Sequence, residues 1–330
     1  MSGRRVVVTG GAGFIGSHVV ERLLADGHTV IAVDNLATGR PDNLQHLRHE
    51  PRLQFAAADV TDEEALTPIL READWVLHLA ALADIVPSIE RPMTYYRANV
   101  SGTAAVLEAA RRSGVKRFVY TASSSCYGIP DRCPTAEDAP LRPQYPYALT
   151  KMLGEQLVLH WADVYKLPVV SLRLFNVYGP RSRTAGTYGA VFGVFLAQKL
   201  AGQPFTVVGD GSQTRDFVFV TDVAEAFVRA AASPLSGEIL NVGGGAPQSI
   251  TRLTELLGGP VVHVPKRPGE PECTWADITK IRRLLGWQPS VSFDEGVRIM
   301  LEHIAYWRDA PIWTPDRIAE ATREWFACLS

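Results

Sequence analysis

The chain has 330 residues, of which 46% are hydrophobic and 21% charged, and its formal net charge is −2 at pH 7. This composition is ordinary for a globular enzyme, and a charge so near zero argues against nucleic acid or an acidic membrane as a partner. No apolar run approaches the roughly 18 residues of a membrane-spanning helix, so we expect no membrane association.

The first predicted unit is a strand, a glycine-rich turn and a helix. An apolar strand over 5–8 leads into a turn containing Gly10, Gly13 and Gly16, and residues 14–26 have helical periodicity. These glycines allow a tight turn, a close approach of backbone to a pyrophosphate and close packing of helix on strand. Because a helix N-terminus favours negative charge, the unit predicts a dinucleotide site.

The second predicted strand, 29–33, ends at an acidic residue, Asp34. A carboxylate at this position can accept hydrogen bonds from the adenosine ribose hydroxyls and would repel a 2′-phosphate. The sequence therefore favours NAD over NADP as the cofactor.

The following elements continue the alternation of strand and helix. Predicted strands are 53–57, 75–79, 116–121 and 168–174, and predicted helices are 62–71, 93–113 and 146–165. This order predicts an α/β fold of the Rossmann type, with a doubly wound parallel sheet.

After about residue 176 the pattern becomes a mosaic of shorter elements separated by proline-rich turns. They comprise helices 187–202, 221–232, 251–257, 277–285 and 294–308, strands 205–208 and 238–241, and an aromatic tail over 311–330 that we expect to pack. We predict a dinucleotide-binding domain over 1–176. A smaller mixed α/β substrate lobe over 177–330 has some segments that cross back to the first.

Two segments predict the catalytic groups. Ser123, Ser124 and Ser125 follow an apolar strand, while Tyr147 and Lys151 lie one helical turn apart on a single helix face. A lysine ammonium near a phenol stabilises the phenolate and lowers the pKa of the tyrosine. A phenolate can remove a proton from a sugar hydroxyl while hydride leaves the same carbon, and a nearby serine can relay or orient that proton.

Four cysteines, Cys126, Cys133, Cys273 and Cys328, lack the spacing of a metal site or a disulfide framework. Cys126 and Cys133 are close enough in sequence to pair, but two free thiols fit a reduced compartment better. Since the first strand begins at residue 5, we expect no signal peptide. The cysteine spacing leads us to expect no bound metal, and the free thiols lead us to expect a cytoplasmic location.

At these motifs the chain resembles the extended short-chain dehydrogenase/reductases that act on nucleotide sugars, over nearly its whole length. Further matching motifs are Asp34-Asn35, Asp59-Val60, His78-Leu79-Ala80-Ala81, residues 99–103, 172–180, 209–211, 215–217, 267–271 and 275–277. The resemblance implies NAD as cofactor and a UDP-sugar as small-molecule substrate.

The resemblance also assigns roles to individual residues. Ser123, Tyr147 and Lys151 match the catalytic positions. The cofactor residues implied are Gly10, Gly13, Phe14, Ile15, Gly16, Asp34, Asn35, Asp59, Val60, Leu79, Ala80, Ala81, Asn99, Tyr147 and Lys151, with Asn99 near the nicotinamide ribose. The substrate residues implied are Ser124, Ser125, Tyr147, Asn176, Arg183, Arg215, Arg267 and Glu270.

Members of this family include 4-epimerases, 4,6-dehydratases, decarboxylases and reductases. The dehydratases place an Asp-Glu pair directly after the catalytic residue, and the decarboxylases add a carboxylate in the serine segment. Here those positions hold Ser124 and Ser125, so the resemblance implies a 4-epimerase.

The substrate is suggested by two positions. Arg183 resembles the arginine that faces the sugar carboxylate in UDP-glucuronate 4-epimerases, although pairing with a pyrophosphate or a surface acid is an alternative. Thr274 matches a gate position where a small residue also admits N-acetyl sugars. UDP-glucuronate is the leading prediction; UDP-N-acetylglucosamine and UDP-glucose are alternatives, and a non-catalytic NAD-binding scaffold is a further one.

In relatives, helices corresponding to 93–113 and 146–165 pair between subunits, and we therefore expect a homodimer. The apolar positions that recur at helical spacing are Val106, Leu107, Ala110, Leu153, Leu157 and Trp161. The same positions could instead cover only the sheet of their own subunit.

Overall fold

A computed structural model describes residues 3–182 and 190–329. The strands are β1 (Arg5–Thr9), β2 (Thr29–Asp34), β3 (Leu53–Ala57), β4 (Trp75–His78), β5 (Arg117–Ser123), β6 (Val169–Leu174), β7 (Asn176–Tyr178), β8 (Phe205–Val208), β9 (Thr214–Arg215), β10 (Phe217–Phe219), β11 (Glu238–Val242), β12 (Gln248–Ser249) and β13 (Val261–Val264). The helices are α1 (Phe14–Ala25), α2 (Glu63–Leu70), α3 (Ile85–Glu90), α4 (Pro92–Tyr96), α5 (Gly102–Arg112), α6 (Pro146–Tyr165), α7 (Val191–Leu200), α8 (Val220–Ala232), α9 (Ile250–Leu257), α10 (Thr279–Leu285), α11 (Phe293–Glu302), α12 (Pro315–Ala321) and α13 (Arg323–Leu329).

Seven strands form one sheet in the order β11-β6-β5-β4-β1-β2-β3, and every pairing in it is parallel. The central strand β1 is apolar throughout its middle because both faces are covered, and Val6, Val7 and Val8 have no exposed surface. The strand order reverses between β1 and β4, and such a switch point is where open α/β sheets bind ligands. The predicted doubly wound parallel sheet is confirmed.

The larger lobe includes elements that follow residue 176. Strand β11 pairs with β6, with Leu240 opposite Leu172, and helix α8 packs against α1. The smaller lobe contains the strand pairs β8–β13 and β9–β12. An aromatic and aliphatic cluster around Phe195, Phe205 and Trp307 forms its core.

The helix predicted over 93–113 is interrupted. Helix α4 passes into a π-helical turn, Arg97–Ser101, before α5 begins. This wider turn carries Asn99, whose side chain is hydrogen-bonded to the backbone of Leu82 in the loop after β4. Such interruptions often occur at functional sites, and this one lies beside the cavity described below.

Two predicted helices of the C-terminal half also have different bounds. Residues 187–189 of the helix predicted over 187–202 lie outside the described residues, and α7 is described from Val191 to Leu200. The helix predicted over 294–308 ends at Glu302 and is followed by a 3-10 turn, Ile304–Trp307, that buries Trp307 completely. The aromatic tail forms α12 and α13, and it packs as predicted, since Ile318 and Trp325 are buried. Within residues 3–182 and 190–329, no helix combines the length and apolarity needed to cross a membrane.

Candidate active site

A cavity of about 980 Å³ opens along the carboxyl edge of the sheet and extends into the smaller lobe. The glycine turn and Asp34 line one end, Ser123 and Tyr147 line the middle, and Arg215 lies on the side of the smaller lobe. One continuous space therefore connects the predicted dinucleotide site with the predicted substrate residues.

The glycine turn fits a pyrophosphate because side chains are excluded from it. Gly10 has φ +68°, and a Cβ there would be 2.8 Å from the backbone nitrogen of Ala80. A Cβ on Gly16 would collide with the carbonyl oxygen of Gly10. No side chain caps the N-terminus of α1, so the first N–H groups of this helix are available to anionic oxygens.

Asp34 is held rigidly where it faces the cavity. Its Oδ2 accepts a hydrogen bond from the backbone N–H of Ala12 at 3.0 Å, and its Oδ1 accepts one from Leu36 at 2.8 Å. Burial raises the pKa of the carboxyl, and these two hydrogen bonds oppose the shift. Each carboxylate oxygen keeps a second lone pair, which can accept a hydrogen bond from a ribose hydroxyl.

Replacing Asp34 with alanine should weaken NAD binding about ten-fold or more, because hydrogen bonds to a charged acceptor contribute about 1.5–3 kcal/mol. The dinucleotide released by denaturing the wild-type protein should be NAD, and calorimetric titration of the cofactor-free variant measures the loss. Release of mainly NADP from wild type would contradict the role of this carboxylate.

The remaining predicted cofactor residues divide into a lining group and a supporting group. Phe14, Ile15, Asn35, Asp59, Val60, Leu79, Ala80 and Ala81 line the cavity. The amide of Asn35 donates to Asp59 Oδ2 at 2.8 Å, which ties the ends of β2 and β3 together.

Asn99 belongs to the supporting group, because the structure places it behind the wall of the cavity. It is 1% exposed, its amide bridges both backbone polar groups of Leu82, and it donates to Thr150 Oγ1 at 3.0 Å. Thr150 in turn donates to the carbonyl of Tyr147. Asn99 therefore connects the loop after β4 to the first turn of α6, and its predicted place near the nicotinamide ribose stays a prediction.

His78, to which the sequence assigned no role, supports the glycine turn through Thr9, the residue that precedes it. Its Nδ1 lies 2.7 Å from Thr9 Oγ1 and its Nε2 lies 3.0 Å from Thr103 Oγ1. Thr9 Oγ1 also accepts hydrogen bonds from the backbone of Leu79 and Ala80. Burial lowers the pKa of His78 to about 3, so the ring is neutral and holds β1, β4 and α5 together.

The predicted catalytic hydroxyls converge in the middle of the cavity. Ser123 ends β5 and lies 2.7 Å, Oγ to Oγ, from Ser125. Tyr147, in the first turn of α6, lies beside Ser123 and Ser125 and is partly accessible from the cavity. Ser124 also lines the cavity. A hydroxyl placed against Tyr147 and Ser123 could exchange a proton with the phenol.

The electrostatics of Tyr147 differ from the prediction. Burial raises the pKa of Tyr147 to about 12, and the neighbouring hydroxyls of Ser123 and Ser125 only partly offset this shift. Lys151 is 3% exposed, its Nζ lies 4.6 Å from the ring centroid of Tyr120, and it does not line the described part of the cavity. Burial lowers the pKa of Lys151 to about 8. The sequence predicted that Lys151, together with the positive charge of the oxidised nicotinamide, lowers the pKa of Tyr147. Among the protein groups alone, burial of the phenol has the larger effect and the shift is upward.

The smaller lobe brings the predicted phosphate-binding residues together. Arg215 and Arg267 both approach Glu270 Oε1, at 3.9 and 3.4 Å, and all three line the cavity. Arg215 also donates to the carbonyl of Pro271 at 2.9 Å. Two guanidinium groups around one carboxylate leave an excess positive charge that suits a diphosphate.

Asn176 lines the cavity, whereas Thr274 does not line its described part. The hydroxyl of Thr274 donates to Asn176 Oδ1 at 2.8 Å and accepts from the backbone N–H of Asp216 at 3.0 Å. Thr274 therefore holds Asn176 in place, and its role as a gate of the sugar pocket stays a prediction. Arg183 lies outside the described residues.

Several aromatic residues at the cavity wall were missed from the sequence, among them three outside the two catalytic motifs. Tyr145, Trp313 and Trp325 line it, and the ring centroids of Tyr145 and Tyr147 are 6.4 Å apart. Tyr145 directly precedes Pro146 in the catalytic segment, which was a usable signal, whereas the tail tryptophans gave only a packing signal. The four cysteines are free, and no metal-binding group of His, Cys, Asp and Glu side chains occurs in the part of the chain that the structure describes.

Known proteins resemble the chain across this whole arrangement. The model of the NAD dependent epimerase/dehydratase family matches residues 6–243. The UDP-glucose 4-epimerase of Mycolicibacterium smegmatis is 41% identical over 308 residues, which are 90% of this chain and 97% of that protein.

Solved structures of nucleotide-sugar 4-epimerases also resemble the chain. The UDP-N-acetylglucosamine 4-epimerase from Methanobrevibacter ruminantium M1, in complex with UDP-N-acetylmuramic acid, is 33% identical with a TM-score of 0.87, covering 92% of this chain and 99% of that one. The UDP-glucuronic acid 4-epimerase from Bacillus cereus, in complex with UDP-glucuronic acid and NAD, is 33% identical with a TM-score of 0.84, covering 91% and 99%.

Proposed function

The chain belongs to the NAD dependent epimerase/dehydratase family, and we propose that it inverts the configuration at C4 of a UDP-sugar. The observation that carries the proposal is the single cavity that joins the glycine turn, the Tyr147–Ser123 pair and the Arg215–Arg267 pair. A nucleotide sugar that places its diphosphate at the arginines can extend its sugar towards Tyr147.

In this proposal the protein's residues remove one proton from the C4 hydroxyl and later return it. Tyr147 accepts the proton as the C4 hydrogen leaves, and it returns the proton when the 4-keto sugar is reduced from the opposite face. Bound NAD supplies the hydride acceptor and then the hydride donor, so the net redox change is zero. Ser123 orients the hydroxyl, and the buried ammonium of Lys151, together with the positive charge of the oxidised cofactor, favours the phenolate.

The serine segment supports epimerisation over elimination or decarboxylation. Ser124 and Ser125 stand where those reactions use added carboxylates in the resembling family, and a hydroxyl is a poor general acid or base near neutral pH. Epimerisation needs no group beyond those that move the C4 proton.

For the sugar, we propose UDP-glucuronate as the substrate, converted to UDP-galacturonate, on the strength of Arg183 in the sequence. The relative from Mycolicibacterium smegmatis favours UDP-glucose as the second candidate, and UDP-N-acetylglucosamine is a third. Incubation with each of the three nucleotide sugars, followed by chromatographic separation of the products, tests the reaction and ranks the substrates.

Replacing Arg183 with alanine should lower kcat/KM for UDP-glucuronate by about ten- to a hundred-fold, because a charge-assisted bond to a desolvated carboxylate contributes about 1.5–3 kcal/mol. Activity on UDP-glucose should be spared, since its C6 hydroxyl carries no charge. An equal loss on both sugars would place Arg183 at the diphosphate and would favour one of the other two substrates.

We also propose a homodimer whose surface keeps part of the predicted one, since Leu153, Leu157 and Trp161 are only half-buried. Val106, Leu107 and Ala110 are completely buried against the sheet of their own subunit, so they cannot form an interface. The same helices expose other apolar side chains instead, which are Met93, Tyr96, Leu149, Val164 and Tyr165. An exposed apolar group of this kind on adjacent helices suits a subunit contact.

Sedimentation at micromolar concentration should therefore give the mass of two chains. Changing Leu149 and Val164 together to glutamate should shift the equilibrium to monomer, because charges buried in an apolar contact are desolvated without partners. Exposed Leu200, which lies on α7 in the smaller lobe, changed to glutamate is the matched control and should leave the dimer intact. A monomeric wild type would contradict the proposal.

A further inference from the structure

Helix α13 lies across the cavity at a place that the catalytic proposal does not use. The helix packs against α3 of the larger lobe. At its other side Trp325 Nε1 donates a hydrogen bond to the carbonyl of Pro268 at 2.8 Å, and Leu329 Cδ1 lies 3.7 Å from the position of a Cβ on Gly269. One short helix therefore connects the two sides of the substrate cleft.

Trp325 is the residue of α13 that enters the wall of the cavity. It is only 2% exposed, yet it is among the residues that line the space. Its ring centroid lies 6.1 Å from that of Tyr145, which in turn stacks beside Tyr147, and the guanidinium of Arg267 lies 5.6 Å from the indole centroid.

These neighbours locate Trp325 along the proposed substrate. Tyr147 marks the reacting carbon and Arg267 marks the diphosphate, so a side chain that contacts Arg267 and the neighbour of Tyr147 borders the sugar between them. Residues 323–329 follow the part of the chain that the family model matches, which ends at residue 243. The catalytic motifs within 6–243 therefore do not determine this wall.

We infer that Trp325 forms a wall of the sugar-binding end of the cavity and is a specificity-determining residue for the sugar. The inference rests on the proposed UDP-sugar substrate. The indole contributes apolar and aromatic surface beside the hexose, and it supports the guanidinium of Arg267 and the ring of Tyr145 at the same time. Because α13 contacts both lobes, the wall is complete only when this helix is docked.

The test compares binding of UDP with binding of UDP-glucose, UDP-glucuronate and UDP-N-acetylglucosamine by calorimetry, using the NAD-loaded protein. Trp325→Ala should weaken the tightest-binding UDP-sugar about ten-fold while changing UDP less than about three-fold, because the lost aromatic contact lies beside the sugar. Glu324→Ala, an exposed change on the same helix, should alter neither affinity.

If Trp325→Ala does not fold, Trp325→Leu keeps apolar volume, removes the indole and serves the same comparison. Equal losses for UDP and the UDP-sugar would overturn the inference, because they would mean that Trp325 only supports Arg267. Wild-type affinity for the UDP-sugar in the variant would also overturn it.

The same measurements separate the inference from the proposed function. A wild-type protein that binds UDP-sugars selectively through Trp325 but converts none of them would reject 4-epimerisation and leave the inference standing. A protein that epimerises a UDP-sugar equally well with and without Trp325 would do the reverse. A wild type that binds no UDP-sugar would overturn both.

Discussion

Replacing Tyr147 with phenylalanine should lower the rate of epimerisation by about 10²–10⁴-fold, which is the usual effect of removing a positioned general acid or base. The phenylalanine ring keeps the packing with Tyr145, 6.4 Å away between centroids, so the wall of the cavity should persist. The hydroxyl is the only group removed, and it is the one that lies beside Ser123. NAD content should stay at the wild-type level, because the glycine turn and Asp34 are unchanged.

Single-turnover and steady-state rates on the best substrate, together with the dinucleotide released on denaturation, test this expectation. Tyr165→Phe is the matched control, since Tyr165 ends the same helix far from the cavity lining and is 47% exposed. Retention of more than about a tenth of the wild-type rate in Tyr147→Phe would be inconsistent with general acid–base chemistry at this residue. A wild type with bound NAD and no turnover would instead favour the alternative of an NAD-binding scaffold.

The sheet and the dinucleotide site were predictable because their signals are local. Apolar strands of four to seven residues, glycines at fixed spacing and an acid at the end of β2 each follow from steric or electrostatic requirements of neighbouring residues. The glycine turn, for example, needs φ +68° at residue 10 and no Cβ at residue 16, and the sequence has glycine at both positions.

What the sequence could not give depends on contacts between distant residues. The sequence predicted that Tyr147 and Lys151 lie on one helix, and both are in α6. The direction of the tyrosine pKa shift, however, depends on burial beneath other elements. Val106 and Leu107 have the spacing of an exposed interface or of a core, and only the position of the sheet decides between them. Trp325 shows in the sequence as a tail residue, and its approach to Tyr145 spans 180 positions.

Arg173 is the clearest case of such a distant contact, and it leads to the second large effect. It lies inside the apolar strand β6 with 3% of its side chain exposed, and Glu155 of the catalytic helix α6 is 2% exposed beside it. The guanidinium donates to Glu155 through Nη2 at 2.6 Å and to the hydroxyl of Tyr127 at 2.8 Å. Glu155 also accepts from Ser171 at 2.7 Å, so both charges are satisfied.

Arg173→Met or Glu155→Leu alone should lower the free energy of unfolding by about 3–5 kcal/mol, because each leaves one buried charge without its partner. Combining the two substitutions should cost much less than their sum, since the apolar pair leaves neither charge uncompensated. Chemical denaturation of the two single variants and the double variant measures this coupling. Arg298→Met is the control, because its pairs on α11 are about half exposed and should contribute less than about 1 kcal/mol.

The single and double variants of Arg173 and Glu155 should also differ in catalytic rate, because Glu155 lies on the catalytic helix α6. Glu155 lies on this helix two turns after Tyr147, and the bonds to Arg173 and Ser171 fix the helix to β6. Loss of one partner should therefore loosen the helix that carries Tyr147 and Lys151, and kcat should fall in the single variants even at temperatures where they remain folded. Recovery of both stability and kcat in the double variant would assign the effect to the uncompensated charge. Strictly additive losses in the cycle would instead mean that Arg173 and Glu155 act separately, through Tyr127 and Ser171.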